Sequence, residues 1–277
     1  MDEPGADGRP TAPTSMTIEF HTALDTGRAR QNNEDSVAVD ATAQLAVLAD
    51  GMGGYNAGEV ASQMLTSFIS VELGRWLVEA GSRATDAEVR RAMDVCVENA
   101  NRSILAAART HAQYAGMGTT LVLAVFRERH LLLGHVGDSR CYRWRDGRLH
   151  RLTRDHSLLQ EQLDAGLITP EQAAFSLNRN LVTRAVGVEE EVQLETHQHE
   201  IAGGDLYLLC SDGLSDMIDD VGITRLVQAG GESLHEIAHT LVTAANDAGG
   251  RDNISLVLAR VSGSATAPPR SWWPFGR

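Results

Sequence analysis

The 277-residue chain contains no lysine, and all 24 of its basic residues are arginines. A phosphate-binding P-loop lysine or a Schiff-base lysine is therefore impossible, which excludes kinases, P-loop nucleotide hydrolases and lysine-dependent aldol chemistry. Positive charge is also scarce, because 37 acidic residues outnumber the basic ones and give a net charge of −13. Nucleic acids and anionic membranes bind clustered positive charge, so neither is an expected partner.

Cysteine and long apolar runs are scarce too. The three cysteines, Cys96, Cys141 and Cys210, lie in apolar stretches and form no paired framework, which predicts a reducing, cytoplasmic setting. No apolar run approaches the ~20 residues needed to cross a bilayer. The N-terminus also lacks the basic-then-apolar pattern of a signal peptide.

Composition and periodicity divide the chain into three parts. Residues 1–16 are predicted to be a disordered lead, and 17–261 a single domain. Residues 262–277 are predicted to be a flexible tail whose Trp272-Trp273 pair is either unstructured or a docking peptide. Within the domain, 157–191 combines short helical patterns, a proline and polar loops, which predicts an inserted flap.

Short apolar runs bounded by glycine predict buried strands, and apolar residues at helical spacing predict helices. The longest helices are expected over 57–78 and 86–111, the second opening with a capping box from Thr85 to Glu88. Strands and helices come in blocks rather than in strict alternation. This order favours an α+β fold with antiparallel sheets and helices outside them.

Carboxylates stand at the ends of several predicted strands, and nearly all of them are beside glycine. The motifs are Glu34-Asp35, Asp50-Gly51, Gly137-Asp138, Asp212-Gly213 and Arg251-Asp252. A single Asp-Gly pair is typical of an ordinary turn, but five acidic motifs at strand ends are hard to assign to turns. Carboxylates gathered at one edge are costly unless cations lie among them. Hard divalent cations with oxygen ligands indicate phosphate chemistry.

One arrangement of these carboxylates would support hydrolysis. Asp50, Asp212 and Asp252 would share one ion, while Asp50 and the Gly51 carbonyl reach a second. Two ions about 4 Å apart would hold a bridging water and lower its pKa enough to supply hydroxide near neutral pH. Arg30 lies just upstream, and its guanidinium could hold phosphate oxygens through two parallel hydrogen bonds.

Together the motifs resemble those of the metal-dependent type 2C serine/threonine protein phosphatases (the PPM family), especially the compact bacterial members. The resemblance covers Thr17 to about Val261. In chain order the motifs are Arg30-x-x-Asn33-Glu34-Asp35, Asp50-Gly51-Met52-Gly53-Gly54, Gly118-Thr119-Thr120, Gly137-Asp138-Ser139-Arg140, Asp155-His156-Ser157, Ser211-Asp212-Gly213 and Gly250-Arg251-Asp252-Asn253. The resemblance implies a four-layer α-β-β-α sandwich, two antiparallel sheets flanked by helices, with a metal cluster at one end.

By motif position, the resemblance also implies a role for each site residue. The first Mn²⁺ or Mg²⁺ would be held by Asp50, Asp212 and Asp252, the second by Asp50 and the Gly51 carbonyl, and a third, as in bacterial relatives, by Asp138 and Asp212. Glu34 and Asp35 would hold metal-bound waters, while Arg140, pairing a carboxylate, and Asn253 would support the ligands from outside. Arg30 would bind the substrate phosphate, and His156 is a second candidate for substrate contact.

The implied activity is hydrolysis of phosphoserine and phosphothreonine on proteins by a metal-bridging hydroxide. The implied partners are phosphorylated proteins, among them a bacterial serine/threonine kinase whose phosphorylation the enzyme reverses. Many eukaryotic relatives carry a proton-donating histidine where this chain has Met52. The acid is therefore either a metal-bound water or another group such as His156, for which a structural hydrogen bond is the alternative.

Rival interpretations need different features. A non-catalytic phosphoprotein-binding domain on the same fold would be expected to lose one of the three shared aspartates, and a two-metal phosphodiesterase fits poorly with the negative charge. His235 and His239 match a zinc-peptidase pattern, but no convincing third ligand follows them. Cys96 and Arg102 have the spacing of thiol phosphatases, but their segment is predicted to be mid-helix.

Overall fold

The computed structural model describes residues 16–54, 57–173 and 181–263. The strands are β1 (Thr17–Asp25), β2 (Asp35–Asp40), β3 (Leu45–Met52), β4 (Gly118–Thr119), β5 (Leu121–Phe126), β6 (His130–Val136), β7 (Arg140–Arg145), β8 (Arg148–Arg151), β9 (Glu195–Glu200), β10 (Leu206–Cys210) and β11 (Ile254–Ser262). The α-helices are α1 (Ala57–Ala80), α2 (Asp86–Thr110), α3 (Leu158–Asp164), α4 (Pro170–Ala173), α5 (Asp212–Ser215), α6 (Asp220–Ala229) and α7 (Leu234–Asp247). Short 3₁₀ helices cover Gly81–Arg83 and Ala112–Tyr114.

The strands form two antiparallel sheets. The first has the order β1-β11-β10-β7-β8, and the second has the order β2-β3-β5-β6-β9 with β4 added beside β3. Helices α1 and α2 pack on the outer face of the second sheet, and α6 and α7 pack on the outer face of the first. The predicted α+β sandwich with four layers is confirmed.

Alternation along the strands separates three apolar layers. In β3, Leu45 and Val47 pack against α1 and α2, whereas Ala46 and Leu48 point between the sheets. Tyr207 of the first sheet meets them in this central layer. Because side chains alternate along a strand, Asp50 lies on the same inner side as Ala46 and Leu48. The central layer therefore becomes polar at this end of the sandwich.

Local signals account for most element boundaries. The predicted capping box opens α2, since the Thr85 side chain accepts a hydrogen bond from the Glu88 amide and the Glu88 carboxylate accepts one from the Thr85 amide. Residues 118–126 form two strands, which are divided at Thr120. There the Thr120 amide donates to the Asp50 carbonyl (2.9 Å), so β4 follows the end of β3 while β5 pairs lower down.

The region predicted to be a flap contains α3 and α4, is closed by one β-bridge within itself and is joined to β4 by a second. Ser157 pairs with Val182, and Thr119 pairs with Val186. Residues 174–180 of this region lie outside the described residues, as do residues 1–15 of the predicted lead and the Trp272-Trp273 pair. None of the helices within the described ranges combines the length and apolarity that crossing a bilayer requires.

Candidate metal centre

Polar side chains replace the aliphatic central layer at one end of the sandwich. Asp35 and Asp50 lie directly opposite each other on β2 and β3 of the second sheet. The Ser211 hydroxyl, at the end of β10 in the first sheet, donates to the Asp35 carboxylate over 2.8 Å. Asp35 and Ser211 are both buried. This hydrogen bond joins the two sheets where the acidic motifs converge.

The first sheet contributes Asp212 and Asp252 through two loops in very close contact. Asp212 begins α5 directly after β10, and Asp252 precedes β11. A Cβ on Gly213 would lie 1.9 Å from the Asn253 carbonyl oxygen, so only glycine allows the two backbones to approach this closely. This contact brings the carboxylates that flank it to one site.

Electrostatics show that the aspartates form one cluster. Burial, followed by the charges of Asp35, Asp212, Asp138 and Asp252, raises the pKa of Asp50 well above its usual value. Burial and then Asp138, Asp216 and Asp252 raise the pKa of Asp212 in the same way. Such carboxylates repel one another, and in the described part of the chain neither Asp50 nor Asp212 has an arginine partner. The arrangement favours binding of cations.

Asp35 and Asp138 also have raised pKa values. Burial raises the pKa of Asp35 to about 7, against the hydrogen bond from Ser211. Burial and the Asp155 charge raise the pKa of Asp138 to about 6. Carboxylate oxygens are hard donors of the kind that Mg²⁺ and Mn²⁺ prefer, so the side chains of the acidic cluster fit the predicted ions.

Arg30 lies at the solvent-facing side of this cluster. Its Nη2 atom is 2.7 Å from Oδ2 of Asp252, and its side chain is 50% exposed. The hydrogen bond to Asp252 raises the pKa of Arg30, which keeps its positive charge beside the carboxylates. Arg30 is thus a half-exposed cation beside the carboxylates that would hold the predicted ions.

Asn253 holds the loop that carries Arg30 and Glu34. Its Oδ1 atom accepts from the Glu34 amide (2.8 Å), while Nδ2 donates to the carbonyls of Thr26 (3.0 Å) and Asn32 (2.9 Å). The Glu34 carbonyl in turn accepts from the Gly51 amide over 3.1 Å. These bonds join the entry to β11, the loop before β2 and the end of β3.

Comparison with known proteins agrees with this geometry. Residues 26–241 match the family described as protein phosphatase 2C. The chain belongs to the protein phosphatase 2C family. It is 38% identical over 90% of its length to the serine/threonine protein phosphatase PstP of Mycobacterium tuberculosis, but it spans only 46% of PstP. It is 36% identical to the serine/threonine phosphatase stp of Listeria monocytogenes, covering 88% of this chain and 95% of that protein.

A solved structure shows the fold with metal bound. The catalytic domain of PstP, in complex with two manganese ions, matches this phosphatase 2C chain with a TM-score of 0.78. The two are 37% identical, and the match covers 90% of this chain and 100% of that one. The predicted family is confirmed.

The structure brings together most of the predicted site residues of this phosphatase 2C chain, but His156 is placed differently. Its ring is buried, Nδ1 accepts from the Gly137 amide (3.1 Å), and Nε2 lies 3.0 Å from Oε2 of Glu195. Both nitrogens are therefore used inside the protein. This geometry does not support the predicted contact with substrate, and it favours a structural role that fixes the turn before Asp138.

Arg140 follows Asp138 by two residues and forms an ion pair with Asp155. Its Nη2 atom is 2.7 Å from Oδ2 of Asp155, and Arg151 approaches the other carboxylate oxygen at 2.5 Å. Arg140 thus pairs with Asp155, and its positive charge offsets part of the Asp155 charge that raises the pKa of Asp138.

One acidic residue of the cluster was missed in the sequence. Asp216 follows the short helix α5, its amide donates to the Asp212 carbonyl over 2.7 Å, and its charge contributes to the raised pKa of both Asp138 and Asp212. The available signal was the four-residue spacing from Asp212, which places both carboxylates on one side of a helical turn.

The thiol-phosphatase spacing at Cys96 and the zinc-peptidase pattern at His235 and His239 do not form catalytic sites in the structure. Cys96 lies inside α2, and burial raises the pKa of its thiol to about 11, which suppresses the thiolate that thiol phosphatases need. His235 and His239 lie on α7, with ring centroids 6.4 Å apart. Among the residues that the structure describes, no third metal-binding side chain joins these two.

Proposed function

We propose that this protein hydrolyses phosphoserine and phosphothreonine esters on proteins, with divalent cations held by the acidic cluster. The observation that carries the proposal is the convergence of carboxylates from both sheets beside Arg30, in a chain of the protein phosphatase 2C family. A phosphoprotein-binding domain without activity would not need to retain this costly arrangement of buried like charges.

The acidic cluster has ligands for more than one ion. Asp50, Asp212 and Asp252 would hold the first Mn²⁺ or Mg²⁺, and Asp50 with the Gly51 carbonyl the second. Asp138 and Asp212, with Asp216 beside them, would hold a third. When bound, these ions supply the Lewis acidity that activates a water molecule near neutral pH and neutralises charge on the phosphoryl oxygens. Support for two of them comes from the two manganese ions bound by the PstP catalytic domain.

The protein's own side chains position the substrate and this water. Arg30, half exposed at the edge of the cluster, would bind two oxygens of the substrate phosphate. Glu34 and Asp35 would orient water at the cluster, and Asn253 would hold the loop that carries Arg30 and Glu34. Fixed donors of this kind stabilise the charge that develops on phosphoryl oxygens in the transition state.

Water, rather than a side chain, is the proposed nucleophile. Burial raises the pKa of Cys210 to about 12 and that of Cys96 to about 11, so neither forms a thiolate at neutral pH. A covalent phosphoenzyme is therefore not part of the proposal. The proton for the leaving oxygen also comes from water in this scheme, because Met52 has no proton to give and both nitrogens of His156 are hydrogen-bonded internally.

A cavity of about 920 Å³, whose lining includes Met52 two residues after Asp50, is the proposed place for the polypeptide around the phosphorylated residue. Met52 and Asn101 line one side, and residues 182–185 and 188–193 line the other. The latter belong to or directly follow the region predicted to be the flap. The proposed partners are phosphorylated proteins, including a serine/threonine kinase. A cytoplasmic location is part of the proposal and is supported by three buried, unpaired cysteines.

Phosphate release from a phosphothreonine peptide tests this function. The wild type is measured with Mn²⁺ and with excess chelator, beside Asp212→Asn and the matched control Asp247→Asn, which alters an exposed aspartate at the end of α7. We expect metal-dependent turnover in the wild type and in the control, and its loss in Asp212→Asn. A folded wild type that binds Mn²⁺ but hydrolyses none of several phosphopeptides would favour the binding-domain alternative.

A further inference from the structure

A second group of metal-binding side chains lies away from the acidic cluster, on β6 and the edge strand β9. His135 pairs directly opposite Glu195, and His197 follows two residues along β9. Side chains two residues apart on a strand share a face, so Glu195 and His197 lie on the same side as His135. That side faces the other sheet, because Leu131 and Leu133 of β6 belong to the central apolar layer.

The ligand atoms of these three residues are close together. One candidate atom from each of His135, Glu195 and His197 lies within 4.8 Å of the other two. Oε1 of Glu195 and Nε2 of His197 are 2.9 Å apart. A tetrahedral zinc site with bonds of about 2.1 Å separates its ligand atoms by about 3.4 Å. The observed separations are of the same order as those of such a site.

Within this group, the Nδ1 atom of His135 has a lone pair that accepts no hydrogen bond. The ring is fully buried, and Nε2 lies 2.9 Å from the Arg154 carbonyl oxygen, which can only accept a hydrogen bond. The proton therefore belongs on Nε2, and Nδ1 carries the lone pair. Nδ1 is buried and has no hydrogen-bond partner. A histidine fixed by a carbonyl at one nitrogen and bare at the other is the arrangement found in metal sites.

The charge of the group also suits a cation. Partial burial opposes ionisation of Glu195, but hydrogen bonds with His156 and His197 outweigh it and lower the pKa of Glu195 to about 2. Burial lowers the pKa of His135, which keeps its imidazole neutral and able to bind metal. Two imidazoles and one carboxylate favour Zn²⁺ and its transition-metal neighbours over Mg²⁺.

We propose that His135, Glu195 and His197 form a transition-metal site of the Zn²⁺ type, separate from the acidic cluster. Glu195 would bind through Oε1 and keep its Oε2 contact with His156. The rings of His135 and His197 lie within 24° of parallel with centroids 6.2 Å apart, so one must turn for both to reach the same ion. His197 is the ring that can turn, because its side chain is 41% exposed and β9 has a neighbour on one side only.

Visible absorption of bound Co²⁺ tests this site in the full chain. Saturating Mg²⁺ is added first to fill the acidic cluster with an ion that does not absorb, and Co²⁺ is then titrated. We expect one equivalent of Co²⁺ to give the intense bands of imidazole-bound, four-coordinate cobalt, and Zn²⁺ to abolish them. His197→Ala and the isosteric Glu195→Gln should lose the bands. Asp212→Asn should keep them, which separates this site from the proposed catalytic one.

His199→Ala is the matched control. His199 follows His197 on the same face of β9, with ring centroids 6.2 Å apart, but it is outside the group of three. The control should keep the bands. A wild type without them, a His197→Ala variant that retains them, or their loss in Asp212→Asn would each overturn the proposal. Circular dichroism of every variant confirms that lost bands do not reflect lost folding.

Discussion

Replacing Asn253 by alanine should both destabilise the protein and weaken its binding of Mn²⁺. The side chain is 4% exposed and makes three hydrogen bonds, to the Glu34 amide and to the carbonyls of Thr26 and Asn32. A typical internal hydrogen bond contributes about 1 kcal/mol, so Asn253→Ala should lower the free energy of unfolding by about 3 kcal/mol. Because the loop positions Arg30 and Glu34, Mn²⁺ affinity should also fall by roughly 10–100-fold.

Asn101 provides an unusually close control for this change. It is 1% exposed, its Oδ1 accepts from the Gly187 amide, and its Nδ2 donates to the carbonyls of Glu189 and Glu190. The pattern of three bonds is the same, but the loop it holds borders the cavity instead of the acidic cluster. Asn101→Ala should therefore lose about 3 kcal/mol as well, while its Mn²⁺ affinity stays at the wild-type value.

The assays are urea unfolding with excess chelator, which measures stability alone, and calorimetric titration with Mn²⁺, which measures affinity. A third variant, Asn253→Asp, keeps the acceptor for the Glu34 amide but sets an oxygen against two carbonyls and adds charge near the cluster. It should be less stable than Asn253→Ala. The reasoning is refuted if Asn253→Asp is the more stable of the two, or if Asn253→Ala and Asn101→Ala bind Mn²⁺ equally well.

Three further predictions follow from the cluster and its close contacts. In chelator, Asp212→Asn should raise the melting temperature because it removes a buried repulsion, and it should lose most of the stabilisation that Mn²⁺ gives the wild type. The pKa of Asp35 is about 7 in the folded protein and about 3.9 in the unfolded chain. In chelator, the stability that protonated Asp35 contributes is therefore complete below about pH 4 and is lost as the pH rises through 7. Asp35→Asn should flatten this pH dependence of the melting temperature in thermal melts. Gly213→Ala should cost about 3 kcal/mol or more in urea unfolding, because its Cβ would meet the Asn253 carbonyl, whereas Gly54→Ala, which meets nothing within 4 Å, should leave stability nearly unchanged.

Most of the fold could be predicted because local patterns and tertiary structure agree. Apolar periodicity placed α2 within one residue of its observed end, and the capping box marked its start. The same reasoning missed β9, whose sequence Glu-Thr-His-Gln-His-Glu contains no aliphatic residue. One face of β9 carries Glu195, His197 and His199 instead of aliphatic side chains, so the apolar alternation that identifies a half-buried strand is absent there.

The candidate site was predictable at the level of residue types, since each glycine-flanked carboxylate marks the end of a strand. Contacts between distant segments were not. The bond from Ser211 to Asp35 spans 176 residues, and Asn253 reaches back 221 residues to Asn32. His156 shows the opposite error: its place in a motif drew attention to chemistry, while its partner Glu195 lies on the strand that the sequence did not reveal.

The position of β11 has a consequence for how the chain acquires its activity during synthesis. β11 comes after every other described strand in chain order, yet it lies between β1 and β10 inside the first sheet. Until it emerges, β1 has no neighbour in that sheet, and the contacts that β11 makes are among the longest in sequence, which slow folding. Asp252 and Asn253 arrive with it. A nascent chain therefore has no complete set of metal ligands, and newly made molecules become competent together with the last step of sheet assembly rather than gradually.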